Sequence, residues 1–249
     1  MRGGAGPLDP NVVAKAHSVL QLVNAVTIFA APTKSLELYG LEASGCNVHM
    51  MENVGANLLC YAIQCMATVF YHQPLEKAAA MGTIPVVYLA LKSLADGTAK
   101  KVGMSNSAHF ILTSLWGSAL IYGGINGEGW TKQLLRVVAW CNIANGLVGG
   151  FAPKTLSSLW GHNASQMPDS AALLLKSSML FGLSHAVFQN TLLDQKSVYK
   201  AVGWGMVPHL MQSASVLFLT KEVDKLNAPK APGIFWLVVH LAVIATLAF

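Results

Sequence analysis

The chain has 249 residues, of which 53% are hydrophobic and only 11% charged, and its mean hydropathy is +0.48. That leaves too little polar material to coat a soluble globule of this size and points to a lipid bilayer. Lys and Arg total 16 against 11 acids, a net +5, but the basic residues are scattered over connecting segments without a stripe or interleaved aromatics, which argues against a nucleic-acid partner.

Met1 to Pro10 is a Gly/Pro arm without the pattern of a cleavable signal. Arg2 in second position excludes N-myristoylation. A spanning helix needs about 20 mostly apolar residues, and eight segments come near that length. The first four are residues 11–31, 48–71, 75–94 and 106–122. Gly123-Gly124-Ile125-Asn126-Gly127-Glu128-Gly129 then interrupts the pattern with turn-forming residues. A boundary there divides the chain into residues 1–124 and 125–249. The second part continues with segments at 133–151, 169–193, 198–219 and 233–249.

The two parts read as copies. Ala31-Pro32-Thr33-Lys34-Ser35-Leu36-Glu37-Leu38-Tyr39-Gly40 is matched 121 positions later by Ala152-Pro153-Lys154-Thr155-Leu156-Ser157-Ser158-Leu159-Trp160-Gly161, and Lys15, Gln21 and Asn24 meet Arg136, Asn142 and Asn145 at the same offset. Lys77, Ala78, Gly82 and Pro85 correspond to Lys200, Ala201, Gly205 and Pro208 at an offset of 123. The expected fold class is therefore all-α: a polytopic integral membrane protein of about eight transmembrane helices, arranged as two tandem parallel four-helix repeats. Four spans return the chain to its starting side, so both copies should share one orientation about a pseudo-twofold axis along the membrane normal, unlike inverted repeats.

Local expectations follow from the same pattern. Pro32 and Pro153 should each stop a helix and start a short interfacial one, with Tyr39 and Trp160 at headgroup depth. Pro85 and Pro208 should produce matching midspan kinks. Gly146, Gly149 and Gly150, and Gly203 with Gly205, should let backbones or a flat ring approach closely. The basic residues of alternate connections number seven against eight, so the positive-inside rule gives no sidedness. Asn163-Ala164-Ser165 fits the glycosylation triplet, a pattern that also arises by chance. Cys46, Cys60, Cys65 and Cys141 have neither zinc-type nor CxxC spacing and read as ordinary thiols.

Charges inside a membrane are costly and ask for a partner. Glu52 and Lys176, equivalents at an offset of 124, are expected to form an ion pair across the axis. His185, His209 and His240 fall near midspan, while His109 and His49 lie nearer helix ends. A neutral imidazole can ligate the magnesium of a chlorophyll or the iron of a haem, so these five histidines are the candidate cofactor-binding residues. Chlorophyll and carotenoid are the leading cofactor expectation, with lipids beside them, and haem, held between His185 and His209, ranks behind. Asn24 and Asn145 are expected to hold helices together.

No two histidines are three or four apart, and there is no nucleophile elbow, P-loop, dinucleotide fingerprint or HExxH. An enzyme is therefore not expected, nor a metal centre. The last segment ends at Phe249 without a polar tail, which suggests cover by another subunit. The functional expectation is an integral accessory subunit of a membrane complex, in a photosynthetic (thylakoid) membrane, binding pigments or lipids and contacting other integral subunits. The alternative is a small-solute carrier or channel made of two parallel repeats.

Overall fold

The computed structural model describes residues 8–163, 165, 167–194 and 196–249. Arg2, most of the Met1–Pro10 arm and Ala164 of the glycosylation triplet lie outside the described residues. Within them every regular element is helical, and the one β-type contact is an isolated bridge between Met104 and His162.

In chain order the helices are α1 (Pro10–Ala30), α2 (Pro32–Leu38), α3 (Gly45–Val69), α4 (Leu75–Ala95), α5 (Thr98–Lys101) and α6 (Ala108–Asn126). Then come α7 (Thr131–Phe151), α8 (Pro153–Leu159), α9 (Asp169–Leu193), α10 (Val198–Gly205) and α11 (Val207–Ala214). A π-helical turn (Ser215–Leu219), α12 (Glu222–Lys225) and α13 (Ala231–Leu247) complete the chain. Lengths recur: α1 and α7 have 21 residues each, α2 and α8 have 7, and α3 and α9 have 25.

Local chemistry explains the ends. Asp9 caps α1 by accepting from the Asn11 N–H at 2.9 Å, with Pro10 in the first turn where its missing donor is not needed. Ser44 and Ser197 cap α3 and α10 in the same manner. Gly40 and Gly161 close the turns after α2 and α8 at φ +68° and +88°, a region open to glycine.

Close approaches fix the direction of each long segment. Phe29 near the end of α1 lies against Gly55, and His17 lies against Tyr61, so α1 and α3 run antiparallel. Lys92 meets Glu52 and Gly82 meets Cys60, which makes α4 antiparallel to α3; Gly117 on Val87 and Gly124 on Glu76 do the same for α6 and α4. In the second half Asn142 meets His185, Gln212 meets Ser177, and Gly203 meets Ala248 while Gly233 meets Leu217. Its four segments therefore alternate too.

The halves join through α3 and α9, both buried along most of their length. Ser170 Oγ donates to Asn47 Oδ1 (3.1 Å), Asn57 Nδ2 donates to Ser178 Oγ (3.0 Å), and Gln189 Nε2 donates to Gln64 Oε1 (2.9 Å). Position rises along both helices together, so α3 and α9 are parallel. Away from this seam the halves interlock: α1 also packs on α10 and α13, and α7 on α4 and α6.

Five helices, α1, α4, α6, α7 and α9, are long and apolar enough to cross a membrane. α13 is apolar but has 17 residues, and α3 carries more polar groups because it is sheathed by its neighbours.

Three expectations change here. Gly123 and Gly124 do not end α6, which continues to Asn126. A Cβ on Gly124 would lie 2.4 Å from the Glu76 carbonyl oxygen, so glycine serves helix contact instead of a turn. Pro85 sits inside a continuous α4, whereas the equivalent segment breaks at Met206 and Pro208 falls in the first turn of α11, where its lack of an N–H is tolerated. Tyr39 and Trp160 are not simple surface anchors: each is partly buried and lines a cavity.

The glycine expectation for α7 fits what is observed, since a Cβ on Gly146 would stand 2.6 Å from Leu183 Cβ and one on Gly149 2.3 Å from Met179 Cγ. A Gly149→Leu variant should therefore lose about 1–3 kcal/mol of stability, read as a lower melting temperature in detergent; an unchanged value would show that α7 does not press on α9.

Candidate functional site

Glu52 and Lys176, the charges expected within spans, each find a partner other than one another. Lys92 Nζ lies 2.6 Å from Glu52 Oε1, and His49 Nδ1 lies 3.7 Å from Glu52 Oε2. Lys176 Nζ donates to Ser215 Oγ at 2.9 Å and lies 3.0 Å from Glu222 Oε2. The expected Glu52–Lys176 pair is thus not among the ion pairs of the described residues. Geometry gives the reason: at 3.6 residues per turn, Glu52 points about 120–140° away from Asn57 and Gln64, the side chains of α3 that meet α9.

Two cavities flank the α3–α9 seam. The smaller, about 140 Å³, lies among α1, α3, α9, α11 and α13, with Gln21, Asn24, Tyr39, His209, Trp236 and His240 in its lining. The larger, about 570 Å³, lies among α3, α4, α6, α7 and α9, where Asn57, His109, Asn142, Asn145, Trp160 and His185 contribute. Their linings correspond. Gln21, Asn24 and Tyr39 in one occupy the places of Asn142, Asn145 and Trp160 in the other, at an offset of 121, and Ser177 and Phe181 those of Asn53 and Asn57, at 124.

Both spaces are open to the surface. Leu112, Val137 and Leu159 of the larger cavity are 62%, 59% and 74% exposed, so it is a crevice between α6 and α7 with an apolar mouth. The smaller cavity reaches the surface at the exposed Pro229, while Gln21, His209 and His240 of its wall are buried.

The five candidate histidines divide between these places. His209 and His240 share the smaller cavity, with ring centroids 5.0 Å apart. His185 and His109 line the crevice. His49 lines neither but lies edge-on to Phe110 of the crevice wall at 5.7 Å. The facing His185–His209 pair that a haem would need does not form, because the two rings belong to different cavities.

Hydrogen bonding sets what each imidazole can do. Asn142 Nδ2 lies 3.0 Å from His185 Nε2, which occupies that nitrogen's lone pair when the amide donates and leaves Nδ1 as the proton donor. His109 stacks on Trp160 at 4.2 Å and 14°, and no hydrogen bond engages its ring among the described residues. Asn24 and Asn145 make no side-chain hydrogen bond there either; both line cavities, so they are not the helix clamps expected from the sequence.

Behind the wall of the smaller cavity both amide atoms of Gln21, Nε2 of His209 and both ring nitrogens of His240 are buried without a partner among the described residues. Each such group costs about 1–3 kcal/mol if left dry. Tyr39, on the connection after α2, has its phenol pKa pushed up by burial and stays neutral.

No Asp, Glu, Lys or Arg lines either cavity among the described residues, and no three His, Cys, Asp or Glu converge as a metal site there. Both spaces therefore suit uncharged molecules. The signal that finds them is the internal sequence match, which pairs the polar residues Gln21 with Asn142 and Asn24 with Asn145 at one offset. Trp236 and Lys92 carried no such mark.

No protein-family model matches the chain, and no curated protein or solved structure matches it.

Proposed function

We propose that the chain is a duplicated eight-span membrane protein, both copies inserted the same way up, that acts as a non-enzymatic binding subunit. Its crevice takes an uncharged, mostly apolar ligand from the lipid phase. The observation that carries this reading is the apolar lateral mouth formed by Leu112, Val137 and Leu159, leading to polar groups at depth, Asn57, Asn142 and His185. At about 570 Å³ the space falls within the range of ligand pockets, roughly 300–1,000 Å³.

A lipid or a pigment meets that description, and a pigment would make the protein an accessory subunit of a light-harvesting membrane complex, next to other integral subunits. A carotenoid needs only the apolar walls. For a chlorophyll, which would supply light absorption, His109 is the imidazole without a hydrogen-bond partner and hence the residue to hold the magnesium.

The protein purified in mild detergent should carry its ligand with it, seen as visible absorption bands for a pigment or as a stoichiometric lipid in the extract. Gly182 lines the crevice and a Cβ there would meet only Asn57 Oδ1, at 3.5 Å, so Gly182→Leu has room for its first carbon, takes up crevice volume with the rest and should lower ligand content several-fold. Purified protein with neither pigment nor bound lipid, or equal ligand in the variant, would defeat the reading.

A small-solute carrier is the second reading, favoured by the segment that breaks at Met206 and ends in a π-helical turn beside the smaller cavity. Interrupted helices of this kind line many transport sites. Substrate-dependent flux in liposomes by a ligand-free protein would support it over the first.

A further inference from the structure

The crevice leaves the smaller cavity without a role. Gln21, His209 and His240 in its lining are 1%, 1% and 3% exposed, their unpartnered nitrogens and oxygen are buried just behind its surface, and no formal charge lines it. On either side are aromatic faces: Trp236 stacks on His240 at 5.5 Å and 23°, and Phe181 lies 4.5 Å from His209. Ile28, Val54 and Leu217 close the rest. A dry apolar cavity of about 150 Å³ accommodates benzene, so about 140 Å³ has the capacity of one six-membered ring with a small substituent. Unlike a benzene cavity, this one also offers donors and acceptors on its wall.

We propose that the smaller cavity is a second ligand site, specific for an uncharged phenol-sized ring bearing a hydroxyl or carbonyl oxygen. The Gln21 amide and the His209 and His240 imidazoles can each donate or accept, so a small rotation of one of these side chains on ligand entry satisfies that oxygen while Trp236 and Phe181 cover the ring. Charged rings are excluded because nothing in the lining neutralises them. The place corresponds, position by position, to the crevice in the other half, but the inference rests on the cavity's own residues and survives if the crevice proves empty. The ring can be free in solution or the headgroup of a membrane lipid whose tail leaves past Pro229, the exposed residue of the lining.

Isothermal titration calorimetry on the whole detergent-solubilised protein decides the matter, with p-cresol as the free ring and 4-nonylphenol as the tailed one. One saturable site is expected. Gln21→Leu should weaken p-cresol at least tenfold, Val54→Phe, which fills the cavity, should abolish the site, and the crevice variant Gly182→Leu should bind as the wild type does. If 4-nonylphenol competes for the same site at least tenfold more tightly than p-cresol, the source is a membrane lipid; comparable affinities indicate a free ring. Non-saturable heats with both compounds would mean that the cavity holds water alone, and binding undiminished in both Gln21→Leu and Val54→Phe would place the site elsewhere; either result overturns the proposal.

Discussion

Glu222→Ala should destabilise the protein by about 3–5 kcal/mol, the usual cost of leaving one member of a buried ion pair without its counterion. Lys176 is 5% exposed, and its ammonium has Ser215 and the Glu222 carboxylate for partners. Ser215 alone cannot neutralise the charge. Removing both charges at once avoids the unpaired state, so Lys176→Met with Glu222→Gln should recover most of the loss. A double-mutant cycle read by melting temperature in detergent measures the difference. Additive effects would show that the two residues do not act as a pair. Lys92 and Glu52 form the corresponding bond of the first half, but Lys92 Nζ belongs to a side chain 40% exposed, so Lys92→Ala should cost far less, about 1 kcal/mol or below.

Gly55→Leu should be of similar severity for a steric reason. A Cβ at residue 55 would stand 2.7 Å from both N and Cα of Phe29, and backbone atoms cannot swing aside as a side chain can. α1 must move off α3, which opens the buried contacts of Ala25, Ile28 and Val54 in the central core. The gain in helix propensity on replacing glycine, somewhat under 1 kcal/mol, is small against a packing loss of about 3 kcal/mol or more. Gly45→Leu is the control, since nothing lies within 4 Å of its added Cβ and its stability should stay within about 0.5 kcal/mol of the wild type. Equal melting temperatures for the two variants would mean that the α1–α3 approach is not as close as described.

Much of this architecture is legible in the chain because matched motifs at a near-constant offset mark corresponding elements. The proline-led α2 and α8 fall where Pro32 and Pro153 announced them, and α9 spans the 169–193 run read from hydropathy. What resisted reading depends on rotation about a helix axis. Glu52 and Lys176 are equivalent positions, yet equivalence does not make them neighbours: both turn away from the seam, toward Lys92 and Glu222. Gly123 and Gly124 have the composition of a turn, and only the nearness of Glu76 and Ala80 shows why a helix would keep them. Pro85 and Pro208 are matched in sequence but differ in outcome, because Gly203, Gly205 and Met206 let the second segment break just before its proline.

The histidines were visible as candidates without being visible as groups. Their division into His209 with His240, and His185 with His109, follows from which cavity each helix faces. Asn24 and Asn145 were legible as a matched pair. Their place on cavity walls emerges only when the first helix of each half is seen packing against the last helices of the other.

The central claim, two halves set side by side and facing the same way through α3 and α9, is tested most directly by cysteine cross-linking in a background lacking Cys46, Cys60, Cys65 and Cys141. Asn47→Cys with Ser170→Cys, and Asn57→Cys with Ser178→Cys, replace side chains that now share hydrogen bonds of 3.1 and 3.0 Å. Both pairs should form a disulfide within one chain on mild oxidation, and Asn47→Cys with Gln189→Cys should not. Cross-linking of the Asn47–Gln189 pair in place of the other two would mean that the helices run in opposite directions, and the account would be wrong.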